Sequence, residues 1–189
     1  MLQGAIASAL ALCRFGSSQP FLTKACVSGA WTLRDADFSR GVTYKTHDYP
    51  DALAGREQVK AIFIYGSALE SARSAYSLGD EWMSEHAVHL KRPGVTRNDL
   101  RSRDALGFLD QATAWFGFAA VPTLCVRYEA LWDHVQDLCA FTGLPLALPT
   151  RGERSAKVLP ADIEHDLAAV FAPIDAKLAE LPTLSVRGG

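Results

Sequence analysis

Apolar and polar positions along the chain fall into blocks of two periods. Residues 2–14 are Ala- and Leu-rich and end near Phe15-Gly16-Ser17-Ser18, which reads as a helix and its stop. Phe21 to Arg40 is mixed and weakly periodic. From Gly41 the run Val42-Thr43-Tyr44-Lys45-Thr46-His47 has strand character, and Asp48-Tyr49-Pro50 turns the chain. Val59 to Tyr65 is nearly continuous apolar and β-branched, the pattern of a strand buried on both faces of a parallel sheet. Gly66-Ser67 breaks it.

Ala68–Leu78 then has helix composition, and Glu81–Leu90 continues it. The charged run Lys91–Asp104, with Pro93-Gly94, reads as a solvated loop entering a helix over 99–116. Val121–Arg127 is a third strand. Glu129–Phe141 is a helix whose apolar positions Leu131, Trp132, Val135, Leu138 and Cys139 put one face on the sheet. Gly143-Leu144-Pro145 stops it, and a Pro-rich passage through Pro160 leads to a last helix over 161–179. The terminal Arg-Gly-Gly reads as a frayed end. This alternation predicts one α/β domain over residues 1–189, with a mostly parallel sheet flanked by helices.

Composition narrows the function classes. The chain has 189 residues, 49% of them apolar, enough for one core without staples. With 19 basic against 21 acidic residues the net charge is −2, so no bulk field draws nucleic acid or an anionic membrane. An anion site must be local. Residues 2–13 lack the basic flank of a secretory signal, and Leu12 is too large for the residue before a lipidated Cys13. No later run approaches the ~20 apolar residues of a membrane span, so a cytoplasmic protein is expected. The four cysteines, Cys13, Cys26, Cys125 and Cys139, show no metal or redox spacing and sit in apolar runs, which predicts buried thiols.

Ligands of open α/β sheets bind beyond the carboxyl ends of the strands, and three such ends carry chemistry. Lys45 and His47 share a face if their strand persists, pairing a cation with an imidazole base; the pair is equally compatible with a structural role. At Gly66–Ser74 a strand passes into a helix whose N–H groups favour phosphate, with Ser67, Ser71 and Ser74 as further donors, or Ser67 is simply an N-cap. Tyr128, just after the third strand, can stack on a base or pack in the core. Arg151, Arg154 and Lys157 form a basic cluster that closes over a phosphate or is solvated loop charge. His86 and His89 beside Glu85 lack the further ligand group a metal needs, so no metal is expected.

Together and in this order, these strand ends resemble the sulfotransferase family, a P-loop NTPase-like three-layer α/β fold, particularly its bacterial members. Tyr44-Lys45-Thr46-His47 is similar to the family's strand ending in Lys-Thr-His. Ala61–Ile64 through Ser71–Ser77 is similar to its 3′-phosphate-binding strand, loop and helix. Arg127-Tyr128-Glu129-Ala130-Leu131 through Gly143-Leu144-Pro145 resembles its Tyr-Glu-Asp-Leu strand and Leu-Gly-Leu-Pro turn. The resemblance spans about residues 41–145. It implies 3′-phosphoadenosine 5′-phosphosulfate as donor and a small-molecule or glycan acceptor. It also implies His47 as general base, Lys45 stabilising the transferring group, Ser74 on the donor's 3′-phosphate and Tyr128 near its adenine.

Three departures accompany it. Gly66 stands eight residues before Ser74, where the family has arginine, so Arg73 or Arg151 would have to supply the guanidinium. Arg151-Gly152 only faintly matches the family's Arg-Lys-Gly segment. The loop that wraps the 5′-phosphosulfate does not appear, and residues 2–14 look like the helix that follows it. The chain therefore reads as N-terminally truncated by on the order of 10–20 residues of strand and loop. A non-catalytic binding module on the same fold is the alternative that Gly66 and the absent loop favour. A small-molecule kinase-like P-loop protein is another, and it would need Walker-type residues that the sequence does not show.

Overall fold

The computed structural model describes residues 1–30, 32–152 and 157–188. Helix α1 (Leu2–Phe15) ends where Gly16, at φ 70°, donates its N–H to the Leu12 carbonyl. A short helix α2 (Pro20–Ala25) and strand β1 (Val27–Gly29) follow, inside the segment whose sequence is weakly periodic. Strand β2 (Thr43–Lys45) pairs with β1 in parallel, Ser28 opposite Tyr44. Strand β3 (Ala61–Tyr65) leads into α3 (Ala68–Leu78) and α4 (Asp80–His89). Helix α5 (Phe108–Gly117) precedes strand β4 (Thr123–Arg127), and helices α6 (Val135–Thr142) and α7 (Ala161–Ala179) precede the last strand, β5 (Leu184–Arg187).

The molecule is mixed α/β, but the strands do not form one sheet. β1 and β2 make a two-stranded parallel sheet; β3, β4 and β5 make a second, in that order. β3 runs parallel to β4 with Phe63 opposite Cys125, while β5 runs antiparallel to it with Ser185 opposite Cys125. β4 is thus the central strand, and its residues alternate between two sides. Leu124 and Val126 pack with Leu2 and Ala9 of α1, Leu138 of α6 and Leu131 of the turn before α6. Cys125 packs with Trp115 and Phe116 of α5. A further cluster, with Met83, Leu100, Leu167 and Phe171 fully buried, joins α3, α4 and α7. Each such side chain withdrawn from water contributes about 1.5–3 kcal/mol.

Several expectations are corrected. β3 is an edge strand and not one buried on both faces: Ala61 and Tyr65 are buried, but Ile64 is 38% exposed. The helix expected over 99–116 begins at Phe108. The Asp104 carboxylate accepts the N–H groups of Gly107, Phe108 and Leu109 at 2.9, 3.0 and 3.1 Å and so fixes its start. Residues 97–101 form a separate 3-10 turn. The helix expected over 129–141 is also split: Leu131 and Asp133 donate to Tyr128 and Ala130 in tight 3-10 fashion, and α6 starts only at Val135. Of the terminal Arg-Gly-Gly, Arg187 closes β5 and Gly189 lies outside the described residues. Of the thiols, Cys26 and Cys125 are buried and Cys139 is partly so, but Cys13 is exposed on the outer side of α1. Burial pushes the Cys125 thiol up to about 11. Among the described residues no helix is long and apolar enough to cross a membrane.

Candidate functional site

A cavity of about 620 Å³ lies beyond the carboxyl end of β3 and beside the loop that follows β2. His47, Ser74, Lys157, Gly66 and Gln111 contribute polar or backbone groups to its wall, and Phe63, Trp82 and Phe108 are among its apolar groups. It brings together His47 and Ser74, two residues singled out from the sequence, and adds Lys157 from the basic cluster.

The His47 loop is held through its backbone. Gln111 Nε2 of α5 donates to the His47 carbonyl at 2.6 Å, and Trp115 Nε1 donates to the Asp48 carbonyl at 3.3 Å. Asp48 is 3% exposed, and its carboxylate accepts the N–H groups of Tyr49 at 2.7 Å and Leu33 at 3.1 Å. Lys91 lies 3.6 Å from the same carboxylate. With the backbone fixed in this way, the imidazole forms part of the cavity wall.

Across from it, the His86 ring lies 5.2 Å from His47, edge to face, and is stacked on Trp82 at 3.6 Å. His86 Nδ1 donates to the Trp82 carbonyl at 2.9 Å. Burial, then the charge of Lys45, then His86 and His89 push the His47 imidazole from its ordinary 6.5 down to about 4. His47 is therefore neutral at physiological pH, the state a proton acceptor requires. Lys45 ends β2 and is exposed. The strand stops there, two residues before His47. Lys45 acts on His47 through its charge and is not among the described residues lining the cavity.

The start of α3 differs from the open phosphate cradle that its sequence suggests. Ser67 caps the helix by accepting the Glu70 N–H at 3.1 Å. Its hydroxyl donates to Asp175 of α7 at 2.8 Å, and the same carboxylate accepts the N–H groups of Ala68 and Leu69. The anion at this helix start is the protein's own. Arg73 is also committed, paired with Glu70 and with Glu164 of α7. Ser74 lies further along α3, in the cavity wall.

At the end of β4, the Tyr128 ring meets Trp132 edge to face at 5.5 Å, and the Arg151 guanidinium lies over Trp132, 5.4 Å from its centre. Trp132 is fixed by donating from Nε1 to the Pro149 carbonyl at 2.9 Å. The three form an aromatic and cationic tier, and none of them is among the described residues lining the cavity. A Cβ placed on Gly66 would stand 3.4 Å from Tyr128 Cβ and 3.2 Å from Glu129 Oε1. Arg154 lies outside the described residues. No group of three or more His, Cys, Asp or Glu suited to a metal occurs among the described residues.

Sequence reading missed Glu129, Asp175, Gln111 and Trp82 as members of this region. Glu129 follows directly on Tyr128, and that adjacency was the available signal. Asp175 and Gln111 lie on distant helices, and only the packing of α7 and α5 brings them in.

No family model, curated protein or solved structure matches the chain.

Proposed function

We propose that the chain is a sulfotransferase-like protein that transfers a sulfuryl group from an adenylyl phosphosulfate donor to a hydroxyl or amine acceptor. The family donor in this reading is 3′-phosphoadenosine 5′-phosphosulfate. The observation that carries the proposal is the neutral His47 in the wall of the cavity that also holds Ser74 and Lys157. His47 takes the proton of the acceptor hydroxyl as the acceptor oxygen bonds to sulfur. The bond between sulfur and the bridging oxygen of the 5′-phosphate breaks, and its electron pair leaves on the nucleotide. Lys157, in the cavity wall, offsets the negative charge of the transferring group and the departing phosphate, and Lys45 adds its charge from the end of β2. As in phosphoryl transfer, positioning and charge neutralisation supply most of the catalysis. Tyr128, with Trp132 and Arg151, offers a platform for the adenine. The same reading makes the protein cytoplasmic and P-loop-like in fold, with a small-molecule or glycan acceptor and no nucleic-acid partner.

A second reading, a binding module that does not catalyse, is favoured by Asp175 on the α3 N–H groups and by Glu129 beside Gly66. Radiolabelled sulfuryl transfer to a panel of hydroxyl acceptors separates the two, with adenosine 5′-phosphosulfate and its 3′-phosphorylated form both tried as donor. The proposal expects transfer by the native chain and a loss of about 10²–10⁴-fold in His47→Ala, with nucleotide binding retained. Nucleotide binding without transfer supports the module, and equal turnover in the variant overturns the role of His47.

A further inference from the structure

At the start of α3, several donors of this chain are already held by its own carboxylates. Asp175 takes Ser67 Oγ and the N–H groups of Ala68 and Leu69. Glu70 and Glu164 take Arg73. Position 66, which would project a side chain into this corner, is a glycine, and the space its Cβ would enter is bordered by Glu129 Oε1 at 3.2 Å. Among the described residues no hydrogen bond or ion pair engages the Glu129 carboxylate. It stands next to Tyr128, and Gly66 carries the corner into the cavity wall.

An unneutralised carboxylate repels a phosphate placed against it and accepts hydrogen bonds from sugar hydroxyls. This is the same chemistry by which acidic residues choose a free ribose and arginines choose a phosphorylated one. Resting on the proposed donor site, we infer that Glu129 and Gly66 select an adenine nucleotide whose ribose hydroxyls are free, so that the 3′-hydroxyl donor is preferred over its 3′-phosphorylated form. Glu129 accepts from the ribose hydroxyls, and Gly66 leaves room for the sugar to approach.

Calorimetry on the full chain at low salt tests this, with adenosine 5′-monophosphate and adenosine 3′,5′-bisphosphate as probes. The expected result is binding of the monophosphate about tenfold or more tighter than the bisphosphate. Glu129→Gln, nearly isosteric and neutral, shrinks the preference to about twofold or less. Gly66→Arg, whose guanidinium pairs with Glu129 and reaches the phosphate, reverses it. Tighter bisphosphate binding by the native chain overturns this inference and leaves the proposed function standing. A monophosphate preference untouched by both substitutions removes Glu129 and Gly66 from the assignment. Binding of neither nucleotide at millimolar concentration overturns the inference and the proposed function together.

Discussion

At the end of β2, the structure spends backbone groups on fixing the loop: the His47 carbonyl is bound by Gln111, the Asp48 carbonyl by Trp115, and the Asp48 carboxylate by the N–H groups of Leu33 and Tyr49. The imidazole forms part of the cavity wall and is neutral at physiological pH. At the ends of β3 and β4, side chains do the fixing. The N–H groups that open α3 are closed by Asp175, and Arg73 is closed by Glu70 and Glu164. The two ends border one cavity but differ in what they bring to it: an imidazole at one, carboxylates that hold the start of α3 at the other.

The largest expected effect lies at the β3 end. Asp175→Ala removes the acceptor of a hydroxyl and two backbone N–H groups, and is expected to cost about 2–4 kcal/mol of stability. Urea unfolding followed by circular dichroism measures it. A loss below about 0.5 kcal/mol would place this residue with ordinary surface positions and erase the contrast between the two ends.

A smaller effect belongs to the β2 end. The His47 imidazole titrates near 6.5 in the unfolded chain and near 4 in the folded one, so between these values the unfolded state binds a proton that the folded state does not. Stability therefore falls as pH drops through this window, and His47→Gln removes that share of the dependence. Unfolding midpoints at about pH 7 and about pH 5 for both chains show whether the native protein loses more than the variant. Identical losses would mean that His47 is solvated, and the β2 end would no longer differ from an exposed loop.

The elements legible in the sequence are those whose local pattern agrees with their packing. α1 ends at Gly16, α3 follows Gly66-Ser67, and α7 occupies the expected 161–179. β3 and β4 were readable as strands from their β-branched runs, but their place in the sheet was not. Ile64 carries the same apolar residue type whether a neighbour covers it or not. β1 and β5 are too short, at three and four residues, for alternation to stand out, and both exist through pairing with distant partners. In the cavity wall, His47 and Ser74 are legible in sequence because one follows a strand and the other a strand-to-helix junction. Asp175, Gln111 and Glu164 are not, because a carboxylate or amide on an amphipathic helix looks the same in sequence whether it faces water or the start of another helix.

The role of His47 as a neutral proton acceptor is tested most directly by the pH profile of kcat/KM for sulfuryl transfer, which reports the ionisation of the free protein. The predicted profile stays flat through 6.5 and falls by half only near pH 4, where burial and the neighbouring cations place the His47 imidazole. A half-fall near 6.5, the value of an unburied histidine, would contradict it, as would a profile that His47→Ala leaves unchanged.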